Sequence, residues 1–332
     1  MSSLLLALVV AAYGGPNLAW QAQFRFVYDD NPFQYSPADI DNFMMHVVPA
    51  RFPIRTIDDL DANAMLGLVW RYRLLDRGGS LGVRTRLHEY VSNWQKSYAL
   101  AEIDAGQQLW QTGRLTLGYL YMPNYLLRYF PRPGSPDSVD FVDCRFSEHK
   151  VDIGLRQRVG PVVLVPGYAY EIEAYQAMFS YYDTRAHRPG LTLDWEIARN
   201  LTLSLDYELK LAHAQGPVPD VSYLQHEGGI SVATRPLRLD RFGLSAGYSF
   251  ARREFTTANA GSIDPAHAGR VDQIESARIE AQYRLDAVTV VAGYEFEWRQ
   301  ASSAFSPQID DVKDYRSNRV SVGVLVNSGK VR

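Results

Sequence analysis

The chain has a single cysteine, Cys144, among its 332 residues. One thiol excludes an intramolecular disulfide and any metal site built from several thiolates, and we expect Cys144 to fill space near a strand end. No apolar run reaches the length of about eighteen residues that a membrane-spanning helix requires. The formal net charge is only −3, so no basic field predicts nucleic acid as a partner.

The longest apolar run, Leu4 to Tyr13, has the length typical of the core of a secretory signal. Small residues follow this run, and we predict a signal peptide over residues 1–19. The basic residues that usually precede such a core are missing, because the first basic residue is Arg25. A buried N-terminal strand is the alternative interpretation.

Strict alternation of apolar and polar residues is the main structural signal in the chain. Residues 201–211 read LTLSLDYELKL, so one face of an extended strand carries only Leu and Tyr while the other carries polar and charged groups. A strand of this length matches a tilted crossing of a bilayer. The pattern predicts a barrel wall with lipid on one side and water on the other.

The same alternation recurs along the chain in fourteen segments, and the segments that connect them alternate between short and long. This arrangement is typical of barrels with short periplasmic turns and long external loops. We therefore predict an all-β fold, a transmembrane antiparallel up-and-down β-barrel with both termini in the periplasm. The predicted strands are 20–28, 60–75, 80–91, 97–109, 113–127, 143–158, 161–176, 186–197, 200–213, 221–234, 240–255, 270–285, 287–300 and 314–326.

Three local features predict irregular strands. Gly228 and Gly229 together indicate a bulge or bend. Ile274 and Ala277 fall on opposite faces of their segment, which predicts a slip of register. Pro166 and Pro189 cannot donate to a ladder and should lie at a strand start or an irregularity.

Over residues 20–326 the chain resembles the porin-like outer-membrane β-barrel proteins of Gram-negative bacteria. The segments that carry the resemblance are YDDNPF (28–33), YMPNYLLRYF (121–130) and YRSNRVSVGVLV (315–326). The resemblance implies the cell outer membrane as location, with outer-membrane lipid and the barrel-assembly machinery as partners. Such barrels usually end in an aromatic residue; here Ser321 and Gly323 fit the closing pattern, but the last residue is Arg332.

Charged residues alternate onto the face that we predict to line the lumen. Their signs nearly balance, so we expect weak bulk ion selectivity. Residues of opposite sign also fall on neighbouring strands: Arg84 and Arg86 beside Glu102 and Asp104, Lys150 and Arg156 beside Glu171 and Glu173, and Arg278 and Arg284 beside Glu295 and Glu297. This predicts cross-strand pairs that brace the wall or form an electrostatic constriction. The candidate pore-lining residues are Arg71, Arg73, Arg84, Arg86, Glu102, Asp104, Lys150, Arg156, Glu171, Glu173, Asp206, Glu208, Lys210, Arg278, Arg284, Glu295 and Glu297.

The connection 29–59 is the longest in the chain and is rich in proline and apolar residues. A loop of this length is usually functional or disordered, and its apolar content argues against free solvation. We predict that it folds over or into the barrel mouth as a constriction; a lid on neighbouring loops is the alternative.

Three functions remain open from the sequence. The first is a passive, porin-like channel for small polar solutes, and the second is a plugged structural or binding barrel that serves an envelope or export system. An outer-membrane hydrolase is the third, with His88 as its only histidine near a charged cluster, but no catalytic spacing of Ser, His and Asp is legible. We therefore predict that the protein is not an enzyme, with no catalytic, cofactor-binding or metal residues.

Overall fold

A computed structural model describes residues 17–135, 140–235 and 241–328, and within them fourteen antiparallel strands close into a barrel. Each strand pairs with its neighbours in sequence, and the last strand pairs with the first to close the ring. The strands are β1 (Leu18–Asp29), β2 (Asp59–Leu74), β3 (Arg77–Tyr90), β4 (Tyr98–Trp110), β5 (Gly113–Pro131), β6 (Phe141–Val159), β7 (Val162–Tyr175), β8 (Thr184–Ala198), β9 (Leu201–Ala214), β10 (Tyr223–Thr234), β11 (Phe242–Phe255), β12 (Arg270–Leu285), β13 (Val288–Ser303) and β14 (Tyr315–Asn327).

The predicted barrel is confirmed, and every predicted strand corresponds to one of these. The predicted signal peptide lies outside the described residues over 1–16, and Leu18 and Ala19 belong to β1. No helix in the described part of the chain is long and apolar enough to cross a bilayer. Cys144 lies near the start of β6 and is fully buried.

Alternation decides which side chains face outward. On β9, Leu205 is 41% and Tyr207 is 50% exposed on the outer surface, whereas Asp206 and Glu208 point inward. The same register carries apolar residues around the outside of the whole barrel. A closed barrel pairs every strand edge, so such a surface can face hydrocarbon without leaving backbone groups unsatisfied.

Tyrosines form a regular polar belt on this outer surface. The seventh residue of β5, β7, β9, β11 and β13 is a tyrosine, and each of these hydroxyl groups meets a polar side chain on the next strand. Since lipid offers no hydrogen bonds, these pairs satisfy polar groups within the apolar wall. The pairs are Tyr119 with His149 at 2.8 Å, Tyr168 with His187 at 2.6 Å, Tyr207 with His226 at 2.8 Å, Tyr248 with Glu275 at 3.0 Å, and Tyr294 with Asn318 at 2.8 Å.

The proline prediction is confirmed, and two predicted irregularities are wrong. The ladders are interrupted beside Pro166 and Pro189. The pairing of β10 continues through Gly228 and Gly229 without a shift; Gly229 instead gives room to the Asp206 carboxylate, which would lie 2.6 Å from an added Cβ. The β12 register is also continuous. Ile274 faces inward and Ala277 faces outward without any slip, so Ile274 is an apolar residue on the inner face.

The two ends of the barrel differ. One end has short turns, and the other, which we call the mouth, carries the long connections. Loop 1 (residues 30–58) contains helix α1 (Pro37–Met44) and a 3-10 turn at Pro49–Arg51. The Ser36 hydroxyl caps α1 by accepting from the Asp39 amide at 3.1 Å. Helix α2 (Ile309–Lys313) precedes β14 and packs against β13 and α1.

Candidate functional site: the charged lumen and its mouth

All the candidate pore-lining residues lie on the inner face of the barrel. The strand pairing shows this, because each inward-facing residue lies opposite an inward-facing residue of the next strand. For example, Arg84 lies opposite Glu102, and Lys150 lies opposite Glu171. Asp104 lies against Gly82 as Asp206 does against Gly229. The Arg71 and Arg73 side chains extend from β2 near the short-turn end.

One predicted cross-strand pair forms as expected. Nη1 of Arg84 on β3 lies 2.5 Å from Oε2 of Glu102 on β4. Both side chains are partly exposed to the lumen, so this pair contributes modestly to stability.

Lys150 and Arg156 lie on the strand beside Glu171 and Glu173, as predicted, but neither forms an ion pair with them among the described residues. Lys150 lies opposite Glu171 in the register, but the buried Glu171 carboxylate binds Arg188 and also lies 2.6 Å from Lys210 Nζ, two strands away. Inward side chains converge toward the barrel axis, so the long side chains of Arg and Lys can reach past the neighbouring strand to the one beyond it. The same convergence places Arg156 3.5 Å from Asp194 on β8.

Arg188 and Lys210 join the carboxylates of this wall into a network. Nη2 of Arg188 lies 2.6 Å from Oε1 of Glu208, while Lys210 lies 3.8 Å from Glu173. Beside this network is a cavity of about 350 Å³ lined in part by Asp152, Asp206 and Glu208. The sequence placed these residues on one face but did not reveal which ones would share a partner.

Arg278 and Arg284 also lie on the strand beside Glu295 and Glu297, as predicted, with Arg278 directly opposite Glu295, but the ion pairs of these carboxylates form elsewhere. Arg319 on β14 takes both carboxylates, at 2.6 Å from Glu295 and 3.4 Å from Glu297. The same guanidinium lies 3.1 Å from Asp29 on β1, so it links three strands across the seam where the barrel closes. On β1, Arg25 pairs with Glu280 of β12 at 2.9 Å.

Loop 1 contacts two opposite walls of the mouth. The Gln34 side-chain amide donates to Oε1 of Glu297 on β13 at 3.1 Å. On the other side, Nη2 of Arg128 on β5 donates to the carbonyls of Phe33 and Gln34 at 3.2 and 2.9 Å. Because β5 and β13 are separated by several strands in either direction around the ring, the segment at Phe33–Gln34 lies across the lumen.

An aromatic core holds loop 1 in this position. Phe33, Tyr35 and Phe52 are buried against Leu126 of β5, with Phe33 and Tyr35 stacked at 5.5 Å between ring centroids. Lys96, in the connection between β3 and β4, is only 2% exposed beneath this core.

Lys96 ties that connection to both loop 1 and the wall. Its ammonium group donates to the Leu126 carbonyl at 2.7 Å and lies 4.3 Å from the centroid of Tyr125 and 5.3 Å from that of Phe33. In the same connection, the buried Asn93 donates to the Thr56 carbonyl at 3.0 Å. Loop 1 therefore contacts both the inner wall and a neighbouring loop.

Beneath loop 1 a cavity of about 410 Å³ opens in the lumen. Pro32 and Gln34 line it from loop 1, Tyr98 and Tyr125 line one side, and the pairs Arg25–Glu280 and Arg319–Glu295 line the other. The cavity therefore combines ring faces with paired charges.

His88 lies at the edge of this cavity. Its Nδ1 is 2.7 Å from Oδ2 of Asp61, its ring stacks on Tyr98 at 4.4 Å, and the Asn63 amide lies 3.2 Å from it. Among the described residues these neighbours supply a carboxylate, an amide and a phenol ring. No group of three or more His, Cys, Asp or Glu residues in the described chain could hold a metal ion.

Sequence reasoning missed several charged residues of the mouth. Asp272 is fully buried and bound by two arginines: Arg270, at 2.8 and 2.9 Å, and Arg299, at 2.5 Å. Arg128 lies beyond the bulges of β5, and Lys313 lies in a connection. Alternation offers no signal for Arg128 or Lys313, because one follows bulges and the other lies in a connection. It gives the inward face of Asp272 in the continuous register of β12 but not its two arginine partners.

The fold is similar to that of a known outer-membrane channel. The outer membrane channel DcaP of Acinetobacter baumannii aligns with a TM-score of 0.52 at 10% identity, over 93% of this chain and 96% of that one. An anion-selective porin from Comamonas acidovorans aligns at 0.49 and 10% identity over 93% and 98%. The TodX monoaromatic hydrocarbon channel aligns at 0.48 and 12% identity over 95% and 90%.

No protein-family model matches the chain, and no curated protein matches its sequence. The likeness to solved structures therefore concerns the fold. The chain therefore shares the closed barrel fold of the DcaP channel and carries an apolar outer surface.

Proposed function

We propose that this barrel is a passive channel for small polar solutes, narrowed at its mouth by loop 1. The observation that supports this most is the contact of Phe33–Gln34 with both β5 and β13 above a cavity lined by polar groups. Fourteen strands at their usual spacing and tilt enclose a backbone diameter of roughly 28 Å. Side chains of the wall alone do not fill such a space.

The candidate pore-lining residues support the same proposal. They hold both signs of charge on one wetted face. Arg84 pairs with Glu102 and Lys210 with Glu171, while other carboxylates of the set pair with the inward Arg188 and Arg319. Paired charges offer hydrogen bonds to a polar solute without a strong preference for one sign of ion. We further propose that the short-turn end and both termini face the periplasm, since outer-membrane barrels place their long loops outside.

A plugged structural barrel is the second candidate. The buried aromatic core of loop 1 favours it, because a loop so firmly packed could seal the mouth as well as narrow it. No hydrolase is proposed, because a base needs a nucleophile within hydrogen-bond reach and the described contacts of His88 offer none with a hydroxyl group of Ser or Thr.

Single-channel recording in planar lipid bilayers tests the proposal. The purified wild-type protein is expected to give discrete conductance steps, and deletion of residues 36–52 is expected to increase them. A silent wild-type barrel that conducts only after the deletion would favour the plugged barrel. Equal conductance of both proteins would overturn the role of loop 1 as a constriction.

A further inference from the structure

Asp61, at the mouth end of β2, lacks the counter-charge that the neighbouring carboxylates have. It lines the cavity beneath loop 1. The other three carboxylates that line this cavity each bind an arginine, in the pairs Asp29–Arg319, Glu295–Arg319 and Glu280–Arg25. Among the described residues the one ion-pair partner of Asp61 is His88, which is charged only when it is protonated.

The Asp61 side chain is buried, and one of its two oxygens is unused. The residue is only 5% exposed, and its Oδ2 lies 2.7 Å from Nδ1 of His88. Its Oδ1 has no hydrogen-bond partner among the described residues. A buried carboxylate is costly unless a positive charge and hydrogen-bond donors accompany it. Asp61 therefore offers the cavity an acceptor that a cationic donor would satisfy.

Aromatic rings form the wall of the cavity beside Asp61. Tyr90 lies directly opposite Asp61 on β3, and Tyr98 stacks on His88 with 4.4 Å between the ring centroids. Tyr125 meets Tyr98 edge to face at 4.9 Å. All four rings line the cavity. The faces of tyrosine rings attract ammonium groups, most strongly where water is excluded.

The same group of rings already holds one ammonium group of the protein. Nζ of Lys96 lies 4.3 Å from the centroid of Tyr125, whereas no cation of the described chain lies over Tyr90 or Tyr98. Arg278 also lines the cavity, but it lies directly opposite Glu295, so a carboxylate already accompanies its charge. The unmatched charge of this cavity is therefore the negative charge of Asp61.

We propose that Asp61, Tyr90 and Tyr98 form a binding site for the ammonium group of a small organic solute in the cavity beneath loop 1. The ammonium group would donate to Oδ1 of Asp61 and lie against the tyrosine rings. The volume of about 410 Å³ is within the range of small-molecule sites. This inference rests on the proposed channel function, and it names the class of solute that the channel would hold at its mouth.

Calorimetric titration of the detergent-solubilised protein at neutral pH tests the site without requiring conduction. The probe is ethanolamine, and ethylene glycol is its neutral counterpart because a hydroxyl group replaces the ammonium group. We expect ethanolamine to bind at least about tenfold more tightly than ethylene glycol, and Asp61→Asn to weaken ethanolamine binding by about tenfold or more. Asp41→Asn, which removes an exposed carboxylate from α1 at the same mouth, is the matched control and should bind as the wild type does.

The site is overturned if ethanolamine does not bind the folded wild type, if ethylene glycol binds equally well, or if Asp41→Asn weakens binding as much as Asp61→Asn. Heat-modifiable migration on gels confirms that each variant is a folded barrel, and Asp61→Ala provides a second variant if Asp61→Asn does not fold. Channel recordings separate the two proposals. Conductance without ethanolamine binding contradicts only the ammonium site, whereas ethanolamine binding to a silent barrel contradicts only the channel.

Discussion

The hydroxyl group of Tyr207 lies 2.8 Å from Nδ1 of His226 on the neighbouring strand, and both side chains lie exposed on the outer surface of the barrel. The same relationship recurs at the seventh residue of four other strands that run toward the mouth. A histidine in an apolar wall has no water to bind, so the tyrosine one strand away supplies its hydrogen bond.

Replacing this tyrosine should destabilise the barrel. Tyr207→Phe leaves the imidazole of His226 without its partner, and we expect a loss of about 1–3 kcal/mol in the free energy of unfolding. Urea unfolding of the protein in lipid vesicles measures it. Tyr283→Phe is the control, because the Tyr283 hydroxyl makes no hydrogen bond within the described chain; equal losses in both variants would contradict the role of the pair.

Lys96 should help to keep loop 1 packed against the barrel wall. Lys96→Met keeps the length of the side chain but removes the donor to the Leu126 carbonyl and the charge between Tyr125 and Phe33. We expect faster trypsin cleavage after Arg51 and Arg55, since loop 1 opens more often. Lys150→Met is the matched control on the lumen wall, and unchanged cleavage of Lys96→Met would show that the aromatic core alone holds the loop.

Asp272 should be essential to the mouth. The side chain of Asp272 is 0% exposed and its carboxylate is the counter-charge of two arginines. Asp272→Asn removes that charge, and breaking such a buried pair costs about 3–5 kcal/mol. Denaturant midpoints measure the loss, with Asp104→Asn on the exposed wall as a milder comparison. A smaller loss in Asp272→Asn than in Asp104→Asn would contradict this account.

Acid should weaken the connection between β11 and β12 through His267. Burial lowers the pKa of His267 below 6.5, although its hydrogen bond with Asp264 opposes the shift. Below pH 6.5 the unfolded chain therefore binds a proton that the folded chain refuses, and stability falls as the pH decreases toward the folded pKa.

Unfolding midpoints at pH 7.5 and pH 5.0 (conditions about one unit or more from 6.5) test this dependence. His267→Gln is expected to lose less stability on acidification than the wild type. His213→Gln, at an exposed position, should behave as the wild type does, and an unchanged acid response of His267→Gln would contradict the prediction.

The sequence could reveal the wall but not its pairings. Period-two alternation such as that of β9 sets the face of every strand residue, and short turns fix which strands are neighbours. It could not show that Glu171 binds Lys210 rather than Lys150, because that choice depends on how side chains converge inside a closed ring. The two glycines of β10 misled for a similar reason, since Gly229 serves a side chain on β9 and not a bend.

The mouth was the least predictable part. The apolar content of loop 1 indicated that it would pack against something, yet its contacts with Arg128 and Glu297 depend on the closed barrel. Arg319 joins Asp29 of β1 to Glu295 and Glu297 of β13, residues that are far apart in sequence. Such a cluster exists only once the ring has closed.

Cysteine labelling of two adjacent β9 residues in lipid vesicles tests the central claim most directly. In a Cys144→Ala background, Asp206→Cys should react rapidly with a charged, water-soluble thiol reagent, whereas Leu205→Cys should stay unreacted until detergent or denaturant removes the lipid. Rapid reaction of Leu205→Cys with protection of Asp206→Cys would place water outside and a dry core inside, and would contradict a lipid-embedded barrel with a wet, charged lumen.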